Sequence, residues 1–245
     1  MDLRPSARKV DEMREISIKE GFTSSSSSSI IIAYGNTKVL CSASIENRVP
    51  SFLKGSGSGW VTAEYGMLPS ATTSRNRREA VLGNQSGRTV EIQRLIGRSL
   101  RSVVSLEELS EITIVVDCDV LSADGGTRTA SITGGYIALS LAIMHLLKNK
   151  YISKNPLHGM VAAISVGIYK GVSIIDLDYA EDSAAETDMN IVMNDMEHYV
   201  EIQGTAEGHA FSGSELTKML KLAKTGVKDL LEIQRKYISS RELQG

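Results

Sequence analysis

The sequence predicts an α+β fold with mixed sheets. Three observations carry this. The first third is rich in β-branched and alternating runs, two later segments carry apolar residues at helical spacing, and the order strands-then-helix occurs twice without a strong internal repeat.

Taken in order, REISIKE (14–20) alternates, with Ile16 and Ile18 on one face. SIIIAYGNTKVLCSASI follows as two strands broken at Gly35-Asn36, a hairpin signal. The serine run 24–29 offers no core side chain and predicts a solvated loop or strand edge. Residues 50–90 are rich in Gly, Ser and Arg, and predict a long loop with a short helical piece. A loop of that length in a compact domain is usually functional or disordered. Over 89–104, Ile92, Leu95, Ile96, Leu100, Val103 and Val104 form one apolar helical stripe, while Arg94, Arg98 and Arg101 share another face. ITIVVDCDV (112–120) reads as a continuous strand, and ADGGTRTASITGG (123–135) leads into the apolar helix YIALSLAIMHLL. GMVAAISVGIYKGVSIIDLDY gives two strands joined near Lys170-Gly171, and MNIVMN with YVEIQGTAE gives another pair. The last helix is announced by Ser212 and Glu215 at capping-box spacing. Its apolar stripe is Leu216, Met219, Leu220, Ala223, Val227, Leu230 and Leu231.

Hydrophobic residues at 42% and charged residues at 23% are the balance of a soluble globular chain, and 245 residues suffice for one domain spanning 1–245. No long unbroken apolar run predicts a membrane span, and the charged N-terminus predicts no secretory signal. Cys41 and Cys118 both lie in apolar strands and read as buried thiols, so a reducing cytoplasm is expected. His145, His158, His198 and His209 have no ligand spacing, which argues against zinc. The formal net charge is −2, but between Arg75 and Arg101 seven arginines (75, 77, 78, 88, 94, 98, 101) face only Glu79 and Glu91, a local excess of +5. A local patch is what a polyanion meets at close range.

Three constellations could carry chemistry. Gly125-Gly126-Thr127-Arg128-Thr129 sits between a strand and a helix. Glycines let the backbone approach a ligand, the helix start offers free N–H groups, and Arg128 adds a charged fork, all of which suit phosphate. It matches neither the Walker motif nor a GxGxxG fingerprint. The plain alternative is a tight turn without a ligand. Gln85-Ser86-Gly87-Arg88-Thr89 repeats the glycine-plus-arginine pattern at a helix start; the alternative is an N-cap beside a surface arginine. Asp176, Asp178, Glu181, Asp182, Glu186 and Asp188 form an acidic cluster without His or Cys, which suits Mg²⁺ or Mn²⁺, or else a solvated acidic loop. Asp188 precedes the apolar run MNIVM and would stand at a rigid strand end. A phosphate cradle with carboxylates is the equipment of phosphoryl transfer.

At this point the sequence resembles the RNase PH family over nearly its whole length. The matching stretches are FLKGSGSGWVTAEYGMLP, QSGRTVEIQRLIGRSLRSVV, DCDVLSADGGTRTASITGGYIAL, DLDYAEDSAAETDMNIVM and VEIQGTAEGHAFS. The resemblance implies the RNase PH-type fold, two βαβα-like halves with mixed sheets and flanking helices, and a phosphorolytic 3′→5′ exoribonuclease, which releases nucleoside diphosphates reversibly. Phosphate, the co-substrate, would be held by Arg88 and the Gly126-Thr127-Arg128 turn. Asp182 and Asp188 would be the active-site acids, binding Mg²⁺ (or Mn²⁺) or acting in proton transfer. The implied substrates are 3′ ends of precursor tRNA, with rRNA also in range. The implied assembly is a homohexameric ring, a trimer of dimers, in the cytoplasm and with no membrane partner. Arg75, Arg77, Arg78, Arg94, Arg98 and Arg101 would then serve RNA or subunit contacts.

The chain departs from the family pattern after MLP, where it reads Ser70-Ala71-Thr72-Thr73-Ser74-Arg75 in place of an early arginine and a polar residue such as histidine. That departure bears on the RNA path, not on the phosphate turn or the aspartates. Two competing readings stand beside the enzyme. One is a catalytically inert RNA-binding ring subunit of an exosome-like assembly, and the other is a hydrolytic metal nuclease that would leave the glycine-arginine turn unexplained.

Overall fold

The computed structural model describes residues 4–20, 28–207 and 210–243. β1 (Ile16–Glu20), β2 (Ser29–Tyr34) and β3 (Thr37–Glu46) form an antiparallel meander, turned between β2 and β3 by Gly35 at φ +55°. β5 (Thr113–Ser122) continues it antiparallel to β3, and β4 (Trp60–Met67) closes the sheet parallel to β5, giving the order β1-β2-β3-β5-β4. The core-facing side chains alternate as the strand period requires: Ile30, Ile32 and Tyr34, then Val39 and Cys41, then Ile114, Val116, Cys118 and Val120.

β4 corrects the expectation of a long loop over 50–90. Val61, Ala63 and Tyr65 alternate into the core, but a small alanine and the flanking Gly and Ser residues mute that signal in the sequence. Its pairing is with a strand more than forty residues further on, which local pattern does not reveal. The rest of the stretch is loop, apart from a 3-10 turn at Ser51–Leu53, α1 (Glu79–Leu82) and the start of the next helix at Gly87. The serine run is also corrected in part. Ser28 and Ser29 are buried, Ser29 opens β2 opposite Ser42, and Ser24–Ser27 lie outside the described residues.

α2 (Gly87–Arg101) is capped by Ser86, whose Oγ accepts from Thr89 N at 3.1 Å, and it buries the predicted stripe against β4. α3 (Thr127–Lys148) starts well before the apolar run that announces it, taking TASITGG into the helix. It packs on β2, β3 and β5 on one side and on β6 on the other. Gly134 allows the close approach: a Cβ there would lie 2.7 Å from Ile32 and 2.8 Å from Cys41. α3 is long and apolar enough to cross a membrane by length and composition, but 78% of that window is buried inside the protein.

The second half repeats the order of strands then helix. β6 (Val161–Tyr169) and β7 (Val172–Ile175) are followed by α4 (Tyr179–Asp182), β8 (Thr187–Asn194), β9 (Tyr199–Ala206) and α5 (Gly213–Glu242). The sheet order is β7-β6-β8-β9, antiparallel throughout, so the parallel pairing of this α+β fold lies in the first sheet. α5 begins with the expected capping box and packs on β6, β7 and β8. One continuous apolar cluster runs from the first sheet through α3 to the second sheet and α5.

Cys41 and Cys118 face each other across β3 and β5 as buried free thiols. Burial pushes the Cys41 thiol well up, which makes it inert rather than reactive.

Candidate active site

Between β5 and α3 the chain turns through Gly125 at φ +75° and Gly126 at φ +67°, conformations that favour glycine. A Cβ at Gly125 would sit 2.5 Å from the Leu177 carbonyl oxygen, so the turn also presses against the segment before α4. Gly126 is the cap of α3 and supplies no side-chain cap. The first-turn N–H groups are therefore not claimed by a capping side chain, and the helix presents its positive end here. Thr127 is anchored by Tyr65 of β4, its Oγ1 2.9 Å from the phenol oxygen. Arg128 donates from Nη1 to Gln203 Oε1 at 2.7 Å and to Glu91 Oε1 at 3.3 Å, while Gln203 Nε2 donates to the same Glu91 oxygen at 2.6 Å. Those contacts from β9 and α2 fix the guanidinium from behind.

Gly126, Thr127 and Arg128 line a cleft of about 490 Å³ together with Arg88, Asp182 and Asp188. Arg88 comes from the exposed first turn of α2. Asp182 ends α4, and Asp188 is the second residue of β8, at the strand end the sequence predicts. All six residues of the predicted phosphate and carboxylate sets thus meet in one cavity, drawn from both halves of the chain. Burial raises the Asp182 carboxyl above its ordinary range and the charge of Asp188 raises it further, while Arg88, Arg128 and Arg14 pull it back.

The other four acids of the cluster do different work. Asp176 is fully buried at φ +51° and takes the Arg14 guanidinium at 2.7 Å and 3.0 Å. Glu181, also fully buried, accepts from Arg4 at 2.6 Å and 2.8 Å and from Arg8 at 3.0 Å. Burial alone would raise the Glu181 carboxyl, but the Arg4 hydrogen bond and the charges around it hold it below its usual range. Asp178 caps α4 through its bond from Glu181 N and meets Arg8 at 3.3 Å. Glu186 accepts from Gly171 N at 3.0 Å in the β6–β7 turn. Only Asp182 and Asp188 of the six line the cleft. Among the described residues no group of three or more His, Cys, Asp or Glu is placed to hold a metal ion.

Sequence reasoning missed the supports: Arg4, Arg8 and Arg14, which read there only as a charged N-terminus, and Thr37, Tyr65, Glu91 and Gln203. Thr37 Oγ1 donates to Gly125 O at 2.6 Å and accepts from Asp124 N at 2.9 Å. The one available signal was three arginines in eleven residues of a chain whose acids cluster elsewhere.

The remaining arginines lie apart from this cleft. Arg94, Arg98 and Arg101 border a second cavity of about 300 Å³ beside Trp60. Arg101 lies 4.4 Å over the Trp60 ring and donates to Val61 O at 2.8 Å, and Arg98 pairs with Glu201 at 3.2 Å. Arg75, Arg77 and Arg78 are exposed on the segment before α1, as are Ser70 and Thr73, whereas Thr72 reaches the main cleft.

Comparison with known proteins bears on the fold and the family. The model of the 3′ exoribonuclease family, domain 1, matches residues 12–145, and that of domain 2 of the same family matches residues 159–226. A chain of the Archaeoglobus fulgidus exosome, described with RNA bound to its active site, superposes with a TM-score of 0.77 at 18% identity, covering 94% of this chain and 91% of that one. An archaeal exosome core chain gives 0.73 at 17% identity, covering 95% and 91%. Rice (Oryza sativa) Rrp46 gives 0.74 at 18% identity, covering 96% and 100%. At these identities the superpositions establish a shared fold.

Proposed function

Since the chain belongs to the 3′ exoribonuclease family of RNase PH type, with both of its domains matched in order, we propose that it shortens RNA from the 3′ end by phosphorolysis, releasing nucleoside diphosphates. One observation carries the reading. Arg88, Arg128 and the α3 N-terminus stand in the same cleft as the carboxylate pair Asp182 and Asp188. A hydrolytic nuclease would need the acids alone, whereas a second anion site beside them suits phosphate as the nucleophile.

In this reading inorganic phosphate sits on the Gly126-Thr127-Arg128 turn with Arg88, its charge offset by two guanidinium groups and the helix end. A phosphate oxygen attacks the phosphorus of the last phosphodiester. The bond to the 3′-oxygen of the preceding nucleotide breaks, and that oxygen takes up a proton. The products are a nucleoside diphosphate and RNA shorter by one nucleotide, and the balance of bonds makes the step reversible. Positioning and charge neutralisation supply most of the rate in such transfers.

Mg²⁺ or Mn²⁺ fits the acid pair. Burial and the neighbouring charge of Asp188 raise the Asp182 carboxyl, which a bound cation would offset, and a hard cation bound by one or two carboxylates completes its shell with water and phosphate oxygens. Asp182 and Asp188 would hold it, and bound there it supplies charge neutralisation at the scissile phosphate. Precursor tRNA ends, with rRNA beside them, are the proposed substrates. A homohexameric ring is the proposed assembly and the cytoplasm the proposed site of action; the similar exosome core chains support a ring in kind. Arg75, Arg77, Arg78, Arg94 and Arg98, all exposed, are the proposed RNA or subunit contacts. Arg101, packed on Trp60, belongs with them at the margin.

The test is to incubate the protein and Mg²⁺ with a 3′-tailed RNA, with and without millimolar phosphate, and to identify the products. Diphosphates formed only with phosphate support the proposal. Monophosphates formed without it mean hydrolysis. No product in either condition supports the inert RNA-binding ring subunit, a reading that the exosome-type neighbours keep in view.

A further inference from the structure

We propose that Arg14 is the positioning residue of the phosphate turn, a single guanidinium that fixes Asp124–Gly126 to the segment carrying Asp182; the identity of the anion rests on the phosphorolytic reading above. Arg14 lies just before β1 and is 9% exposed. Its backbone N and its Nε both donate to Asp176 Oδ2, at 2.7 Å and 3.0 Å, and its Nη2 donates to Asp176 Oδ1 at 2.7 Å. The far side of the same fork faces the turn: Nη1 donates to the Asp124 carbonyl oxygen, and Nη2 reaches the Gly125 carbonyl oxygen at 3.5 Å.

The turn needs such a tie. Two consecutive glycines in the left-handed region have the widest conformational freedom of any pair of residues, and they carry the N–H groups that would meet phosphate. A side chain at Gly126 would approach Arg14 Nη2 to 3.1 Å, so the guanidinium packs directly beneath the turn. The other end of the link is equally fixed. Asp176 N donates to Ser165 O at 2.7 Å, and two residues later Asp178 caps α4, which ends at Asp182. The path from turn through Arg14 and Asp176 to α4 therefore joins the cationic wall of the cleft to its acidic wall. Lysine keeps the charge but lacks the planar fork with five donors, so it cannot hold Asp176 and both carbonyls together.

Arg8 supplies an internal control. It meets Asp176, Asp178 and Glu181, and none of its hydrogen bonds or ion pairs reaches the turn. Thr37 supplies a second route to the same effect, since its hydroxyl bonds both Gly125 O and Asp124 N without touching Asp176.

Arg14→Lys, Thr37→Val and Arg8→Lys would be compared with the parent protein in two measurements: phosphate dependence of diphosphate release at saturating RNA, and ³¹P NMR titration of inorganic phosphate without RNA. Arg14→Lys is expected to raise the phosphate KM and weaken phosphate binding by roughly 10-fold or more, with RNA KM unchanged, because small displacements of a positioning group cost up to about 10². Thr37→Val is expected to move in the same direction, and it carries the test if Arg14→Lys does not fold. Arg8→Lys keeps a positive charge beside Asp176, Asp178 and Glu181 and removes no hydrogen bond to the turn, so its phosphate KM and phosphate binding are expected to stay within about 2-fold of the parent. An unchanged phosphate KM in folded Arg14→Lys overturns the proposal, as does an unchanged KM in Thr37→Val where Arg14→Lys does not fold, and so does an equal loss in Arg8→Lys. If the parent protein binds phosphate but releases no diphosphate, the phosphorolytic reading fails. The titrations alone then decide the role of Arg14, and weaker binding in Arg14→Lys upholds it. If the parent binds no phosphate, both fall.

Discussion

Arg128 illustrates how far a single residue can be read. Its place beside two glycines at a helix start marked it in the sequence, but its grip on Gln203 and Glu91 did not appear there, because those partners lie on β9 and α2. The same holds for Asp182 and Asp188. Their strand-end position is local and legible, whereas the sorting of Asp176, Asp178 and Glu181 into structural pairs depends on arginines some 160 to 180 positions away. Arg128→Gln should therefore lower phosphate-dependent turnover by about 10²–10³, the usual cost of losing one oriented charge donor, while its far-ultraviolet circular dichroism matches the parent protein. A second residue is outside the cleft. Asp117 lies on the face of the first sheet away from the helices, beside Glu64 and near Asp119. Burial first, and those two charges after it, raise its carboxyl to about 6. The folded protein thus holds this proton more tightly than the unfolded chain. Stability from this group falls as pH rises from about 4 to about 6 and stays reduced above that. Asp117→Asn should raise the unfolding midpoint at pH 8 and leave it nearly unchanged at pH 4. The gain is on the order of 1 kcal/mol once solvent screening at a half-exposed site is allowed for. A larger effect at pH 4 than at pH 8 would contradict the assignment.

At the scale of elements, the long periodic helices and the Gly35-Asn36 hairpin were legible because each is specified by residues close in sequence. β4 was not. Its three inward residues include an alanine, and its place is fixed by parallel pairing with β5, a partner only the folded chain supplies. The early start of α3 was hidden for a related reason. Thr, Ser and Gly in TASITGG read as loop residues, yet their small size is what lets the helix lie close against β2 and β3. Gly134→Ala tests this. Helix propensity alone would favour alanine by about 1 kcal/mol. Here its methyl group would meet Ile32 and Cys41 at 2.7 Å and 2.8 Å, so overpacking costing about 1–3 kcal/mol should win or at least cancel the gain. Chemical denaturation of the purified variant gives the sign. The N-terminal segment offers a contrasting case. Ala7 adopts φ +58°, a conformation that costs a residue with a Cβ about 1–2 kcal/mol. Ala7→Gly should stabilise the protein by up to about 1 kcal/mol after the greater freedom of glycine in the unfolded chain is subtracted.

Across the whole molecule, the cleft belongs to neither half alone. Arg88 and the phosphate turn come from the stretch matched by the family's first domain, and Asp182 and Asp188 from the stretch matched by its second. The two stretches share one apolar cluster with α3 at its centre, and the N-terminal arginines tie residues 4–14 to the acids of the second stretch. A ligand seated in this cleft should stabilise both halves together, because it binds only when both are folded and docked. Phosphate at about 100 times its dissociation constant adds about 2.7 kcal/mol to the folded state. For a chain of this size each kcal/mol moves the unfolding midpoint by about 2–4 °C. Scanning calorimetry should therefore show a single transition that rises by roughly 5–10 °C in saturating phosphate with Mg²⁺. Arg128→Gln should lose most of that rise, because the anion then lacks the guanidinium that Gln203 and Glu91 hold in place. Two transitions, with only the earlier one moved by phosphate, would mean that the anion is held by one half without the other. The view of the cleft as a joint product of both halves would then fail, even if the protein remained active.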